Sequence, residues 1–99
     1  MQIIFEYDNV SASDRLEKFV TEKLEHLKTK FDFVHRADVF FKTQNRTDDQ
    51  EQICDIRLSM PGPRLYTSSN AESFKEAITE SIKELEIQLK KYKEKMNMA

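Results

Sequence analysis

Few side chains in this 99-residue sequence are equipped for covalent or metal chemistry. His26 and His35 stand nine positions apart, and neither has a second His or a Cys at metal-ligand spacing, so each reads as an ordinary surface histidine. Cys54 is the single cysteine. It cannot close an intramolecular disulfide, and within the run Ile53-Cys54-Asp55-Ile56-Arg57-Leu58 it reads as a small core residue rather than a reactive thiol. Asp48-Asp49 lacks the glycine and downstream carboxylates of a calcium loop. Gly62 is the only glycine, which excludes glycine-rich phosphate loops and dinucleotide fingerprints. Asn45-Arg46-Thr47 matches a glycosylation sequon, which carries no meaning without a secretory signal. No nucleophile–base pair stands out. An enzyme therefore has no residues behind it, and no metal, cofactor or small-molecule substrate is expected.

Charge is the remaining chemistry, and its bulk value points away from nucleic acid. The net charge is -2, with 16 Lys and Arg against 18 Asp and Glu. An RNA site would need segregated charge. Projected as a helix at about 100° per residue, the C-terminal third places Lys75, Lys83, Lys90 and Lys93 on one flank, with Glu76, Glu80, Glu84 and Glu94 opposite. Glu76, Glu80 and Glu84 are successive like-charged neighbours four apart, an arrangement costing a few tenths of a kcal/mol per pair. A helix selected only for solubility would interleave the signs, so the lysine flank is expected to face an anion; an ordinary solvated face is the competing reading. In the N-terminal part Arg15, Lys18, Lys23, His26 and Lys30 share one side, interrupted by Glu22. Lys23 falls near the apolar stripe, where its stem can lie along the core edge and its ammonium can project between helices. The tail Lys90-Lys91-Tyr92-Lys93-Glu94-Lys95 is locally basic.

The elements that must position these charges are legible from periodicity. Residues 2–7 alternate, with Ile3, Phe5 and Tyr7 on one face of a strand. Ser11 or Ser13 can cap a helix over 12–30, whose stripe is Leu16, Phe19, Val20, Leu24, Leu27 and Phe31. A second strand is expected over 34–42, with Ala37, Val39 and Phe41 inward. A polar loop is expected over 43–50, and a third strand over 52–59 with Cys54, Ile56 and Leu58 inward. Pro61-Gly62-Pro63 is a turn, and a more polar fourth strand follows over 64–69. Ser69-Asn70-Ala71-Glu72 has capping-box spacing ahead of a helix over 71–95. Its stripe is Phe74, Ile78, Ile82, Leu85, Leu89, Tyr92 and Met96, with Ile87 outside it and exposed. The expected class is α+β in the order β-α-β-β-β-α: a four-stranded, mainly antiparallel sheet carrying both helices on one face.

Apolar residues make up 38% and charged residues 34%, the balance of a folded globular domain. No apolar run is long enough to span a membrane. The start Met1-Gln2-Ile3-Ile4-Phe5-Glu6 is unlike a signal peptide, so a cytoplasmic location is expected.

Several short motifs also stand in a shared register with a known family. Met1-Gln2, Asn9-Val10, Leu16, Phe19-Val20-Thr21, Lys23, Leu27 and Phe31-Asp32 carry the resemblance in the N-terminal part. Ala77-Ile78, Leu85, Gln88-Leu89, Lys91, Lys93 and Lys95 carry it in the C-terminal part. The chain resembles the ribosome hibernation promoting factors and ribosome-associated inhibitors, also called the sigma-54 modulation or ribosomal-subunit-interface family. The resemblance implies a fold similar to a double-stranded-RNA-binding domain. It also implies a seat in the neck of the small ribosomal subunit, in the channel used by mRNA and tRNA. A domain wedged there under stress or in stationary phase would inhibit translation by occupancy, touching rRNA and neighbouring ribosomal proteins. On this reading Lys23, Lys28 and Lys30 of the first helix and Lys83, Lys90, Lys91, Lys93 and Lys95 of the second contact rRNA phosphates; Lys28 lies off the basic flank. Residues 1–99 are expected to act as one ribosome-binding domain, monomeric when free and without the second, dimerising domain of longer family members. The chain departs from the family in being less basic. It also departs where the family often places Asp, Tyr and Asp near the start of the last helix and this chain has Ser73, Lys75 and Thr79. The alternative function is a protein-interaction module that uses the exposed sheet face or Ile87 and has no part in ribosome binding.

Overall fold

The computed structural model describes residues 1–45 and 50–97. The elements are β1 (Gln2–Asp8), α1 (Asp14–Lys30), β2 (Arg36–Asn45), β3 (Gln50–Ser59), β4 (Leu65–Ala71) and α2 (Phe74–Asn97). The sheet order is β1-β2-β3-β4. β1 and β2 are parallel, with α1 supplying the crossover that a parallel pair requires, while β2–β3 and β3–β4 are antiparallel. This is the expected β-α-β-β-β-α architecture.

The inward set of the sheet is the alternating set read from the sequence. Ala37, Val39 and Phe41 of β2 and Cys54, Ile56 and Leu58 of β3 are almost fully buried under Val20, Leu24 and Leu27 of α1 and Ile78, Leu85 and Leu89 of α2. Ala77 and Ser81 are buried as well, two small residues that the stripe assignment missed. Ser81 donates to the Cys54 carbonyl oxygen at 2.9 Å and meets the Ser69 hydroxyl at 3.0 Å, so its polar group is satisfied inside the core.

Three boundaries differ from expectation for identifiable reasons. Residues 43–45, expected in a loop, extend β2, because polar side chains pair across the ladder there. Thr43 donates to Gln52 at 2.8 Å, and Gln44 stands opposite Glu51. Gln50, also expected in the loop, begins β3, and residues 46–49, with Asp48-Asp49 and part of the sequon, lie outside the described residues. The capping box at Ser69 is not used, since Ser69 to Ala71 complete β4. Ser73 caps α2 instead, accepting from the Glu76 amide at 3.2 Å. The last difference is Met96, which is 49% exposed: the packed stripe ends at Tyr92, and α2 continues past its support. Ile87, at 48%, is exposed as expected.

Two aromatic clusters fix where the helices begin and end. At one end Tyr7 stacks on Phe41 at 5.3 Å and Phe74 meets Phe41 edge-on at 5.4 Å. Tyr7 donates to Glu17 at 2.5 Å, tying the first turn of α1 to β1, while Ser13 accepts from the Leu16 amide as N-cap. At the other end Phe33 meets Phe31 at 6.2 Å and Tyr92 at 5.7 Å. The Tyr92 hydroxyl donates to the Pro61 carbonyl oxygen at 2.9 Å, clasping the turn against α2.

Candidate nucleic-acid interface

Both helices lie on the same face of the sheet and run parallel. Phe19 is beside Lys75, Lys30 meets Glu86, and further along Lys93 reaches the carbonyl at Lys30. Their facing flanks form a groove. Its middle, about 210 Å³, is lined by Lys23, His26, Lys30, Thr79, Lys83 and Glu86. Lys23 projects between the helices as its position on the stripe edge implied, its ammonium 5.4 Å from the Phe19 ring centroid. Lys93 closes the far end, 5.7 Å from the Phe31 centroid. Lys90 stands one turn beyond Glu86, close enough for its charge to act on that carboxylate.

The groove thus gathers Lys23, Lys30, Lys83, Lys90 and Lys93, five of the eight lysines proposed from the sequence. The other three are placed elsewhere. Lys28 turns back to the end of its own helix, donating to the carbonyl oxygens of Asp32 and Val34 (2.6 Å to the latter). It holds the α1–β2 turn, which accounts for its position off the basic flank. Lys91 and Lys95 share a ridge with exposed Ile87, four residues apart along the helix and turned away from α1.

The separation of signs on α2 is less complete than the projection suggested. Glu86 falls among the lysines and accepts from Lys30 at 2.8 Å. That bond, with the charges of Lys30, Lys90 and His26, holds the Glu86 carboxyl below its ordinary range against an opposing desolvation effect. Lys30 remains 46% exposed, so the pair is a solvated one worth no more than about 1 kcal/mol and open to competition by a phosphate. Glu76 and Glu80 border the Lys75–Lys83 part of the groove and do not lie wholly opposite it.

The arrangement has the capacity to hold a polyanion. Among the described residues no group of His, Cys, Asp and Glu is placed to hold a metal ion. Cys54 is fully buried, and desolvation, with the Asp55 charge second, pushes its thiol up to about 12, far from a reactive thiolate. No helix among the described residues is long and apolar enough to cross a membrane.

A small α+β domain that presents a cationic groove between parallel helices is a binding domain in build. Residues 3–97 match the family described as Sigma 54 modulation protein / S30EA ribosomal protein, and the chain belongs to that family, whose members are non-enzymatic binding proteins. It is 29% identical over 96 residues to a ribosome hibernation promoting factor of Klebsiella oxytoca, with 97% of each chain covered. It is 28% identical over 95 residues to one of Pseudomonas putida, covering 96% of this chain and 89% of the relative. A ribosomal subunit interface protein from Coxiella burnetii shares the fold at TM-score 0.83 and 22% identity, with 94% of this chain and 98% of that one covered. The Thermus thermophilus Protein Y N-terminal domain shares it at TM-score 0.78 and 19% identity, covering 93% and 99%.

Proposed function

We propose that this chain is a cytoplasmic ribosome hibernation factor that seats its inter-helix groove on rRNA of the small subunit and occupies the mRNA and tRNA channel. The observation that carries the reading is the groove itself. On a chain of net charge -2, the fold collects Lys23, Lys30, Lys83, Lys90 and Lys93 along one strip between the two helices. Lysine ammoniums on phosphates supply affinity without reading bases, and the rigid sheet behind the helices supplies bulk. Inhibition then requires only occupancy. The names borne by the relatives from Klebsiella oxytoca and Pseudomonas putida support the same reading. On this proposal residues 1–99 act as one ribosome-binding domain, monomeric when free, made under stress or in stationary phase.

The test is sedimentation of the tagged protein with small subunits through sucrose gradients, with and without mRNA and initiator tRNA. Exclusion of initiator tRNA and dose-dependent inhibition of cell-free translation are expected. Stable co-occupancy at saturating factor would sink the placement. One observation favours a second reading, a protein partner on the open sheet face: that face carries half-buried Ile4 and Phe40, and Tyr66 on the edge strand β4 is 53% exposed. Failure of the folded protein to co-sediment with small subunits would favour it.

A further inference from the structure

The N-terminal end of the groove differs from the rest. There the helices part to leave an open cleft of about 560 Å³, within the size range of pockets that take one small-molecule-sized ligand. Its floor is apolar, made by the half-buried side chains of Leu16, Phe19 and Phe74. Its rim is basic, with Arg15, Lys18 and Lys75 against the single carboxylate of Glu22. The ammoniums of Lys23 and Lys75, from different helices, both stand 5.4 Å from the centroid of the Phe19 ring. Among the described residues neither forms an ion pair. The N-caps Ser13 and Ser73 line the same cleft, so the positive ends of two parallel helix dipoles add to the field.

Ser73 and Lys75 line the cleft, and Thr79 follows one turn along beside Lys75.

Resting on the ribosome-binding reading above, we infer that the cleft takes one unstacked rRNA nucleotide, its base on the Leu16–Phe19–Phe74 floor and its phosphate on Lys75 at the rim. A flat apolar body joined to an anion matches an apolar floor with a basic rim, and a base offers a face to an aromatic side chain whatever its identity. The site gives a weakly charged chain an anchor that does not depend on phosphates alone.

The test uses the full chain and purified bacterial small ribosomal subunits. Lys75→Asp, at an exposed position, should weaken binding about tenfold at 0.1 M salt and lower the salt slope by about one. Phe19→Leu keeps the floor filled but removes the ring; it should weaken binding about fivefold with the slope unchanged, because a base contact releases no counterion. Circular dichroism checks folding of both, and ultraviolet crosslinking of the parent should join the Phe19 peptide to RNA. If the parent binds and both folded variants match it, the cleft is not a nucleotide site while ribosome binding stands. Crosslinking of the cleft only to a ribosomal protein would mean an acidic protein segment occupies it, and overturns the inference. If the parent itself fails to bind subunits, both the inference and the reading beneath it fall.

Discussion

Reversing Lys83, Lys90 and Lys93 together to glutamate is the most direct trial of the groove. All three side chains are exposed, so the core is untouched. Lys93 lies over the Phe31 ring at 5.7 Å, an exposed cation–π arrangement worth about 0.5–1 kcal/mol, and also donates to the Lys30 carbonyl oxygen at 3.4 Å. If the five groove lysines each neutralise one phosphate, at roughly 0.7 to 0.9 per contact the slope of log affinity on log salt is about -4. Raising salt from about 50 to 200 mM should then weaken the parent roughly 250-fold. With Lys23 and Lys30 remaining, the slope falls to about -1.5 and the same change costs roughly eightfold. Since this term vanishes near 1 M salt, losing three contacts costs roughly two to three orders of magnitude at 0.1 M, before any repulsion from the new glutamates. The assay is co-sedimentation with small subunits across a salt series, with circular dichroism confirming the fold. A folded triple variant that keeps the parent's affinity and slope would show that the docking face is not this groove.

Other expectations follow from particular side chains. Glu76→Gln with Glu80→Gln should tighten ribosome binding several-fold at low salt and lose the effect as screening shortens, since both carboxylates border the Lys75–Lys83 groove; Glu84→Gln, away from it, should do less, and equal effects of all three would contradict the geometry. Cys54 should resist Ellman's reagent at pH 8 in the native protein and react on unfolding. Because its folded value of about 12 lies above the unfolded one near 8.5, stability should fall as pH rises past about 8.5, and a freely reactive native thiol would refute its burial. Gly62→Ala should lower the melting temperature, costing roughly 1–2 kcal/mol, since φ is +102° and an added Cβ would stand 2.7 Å from the Tyr92 hydroxyl oxygen; an unchanged melt would mean that the Tyr92 clasp is dispensable. Thr67→Val should be neutral or stabilising by up to about 1 kcal/mol in thermal melts, because the buried Thr67 hydroxyl has no hydrogen-bond partner among the described residues; a clear loss would reveal one.

The parts of this protein that were legible in its sequence are those governed by local periodicity. Alternation placed Val39, Phe41, Ile56 and Leu58 under the helices, and a three-to-four step placed Leu24, Leu27, Ile78 and Leu85 over them. Where periodicity weakens, the reading slipped. Ser69 and Ser73 both precede a glutamate by three, and only the ladder of β4 with β3 decides which one caps α2. The lysines show a different limit. A helical projection ranks cations by angle, but whether a cation is available depends on partners that no single helix contains. Glu86, 56 residues from Lys30 in the chain, engages it across the groove, while Lys28 is consumed by two carbonyls of its own turn. Phe19 reads as one more residue of an apolar stripe, and only the approach of Lys75 from the other helix turns it into the floor of a cationic cleft. Bulk charge fails for the same reason. A chain of net charge -2 can still present a cationic strip, because the attraction of a phosphate depends on charges within about a Debye length, roughly 8 Å at physiological salt, and folding decides which charges those are.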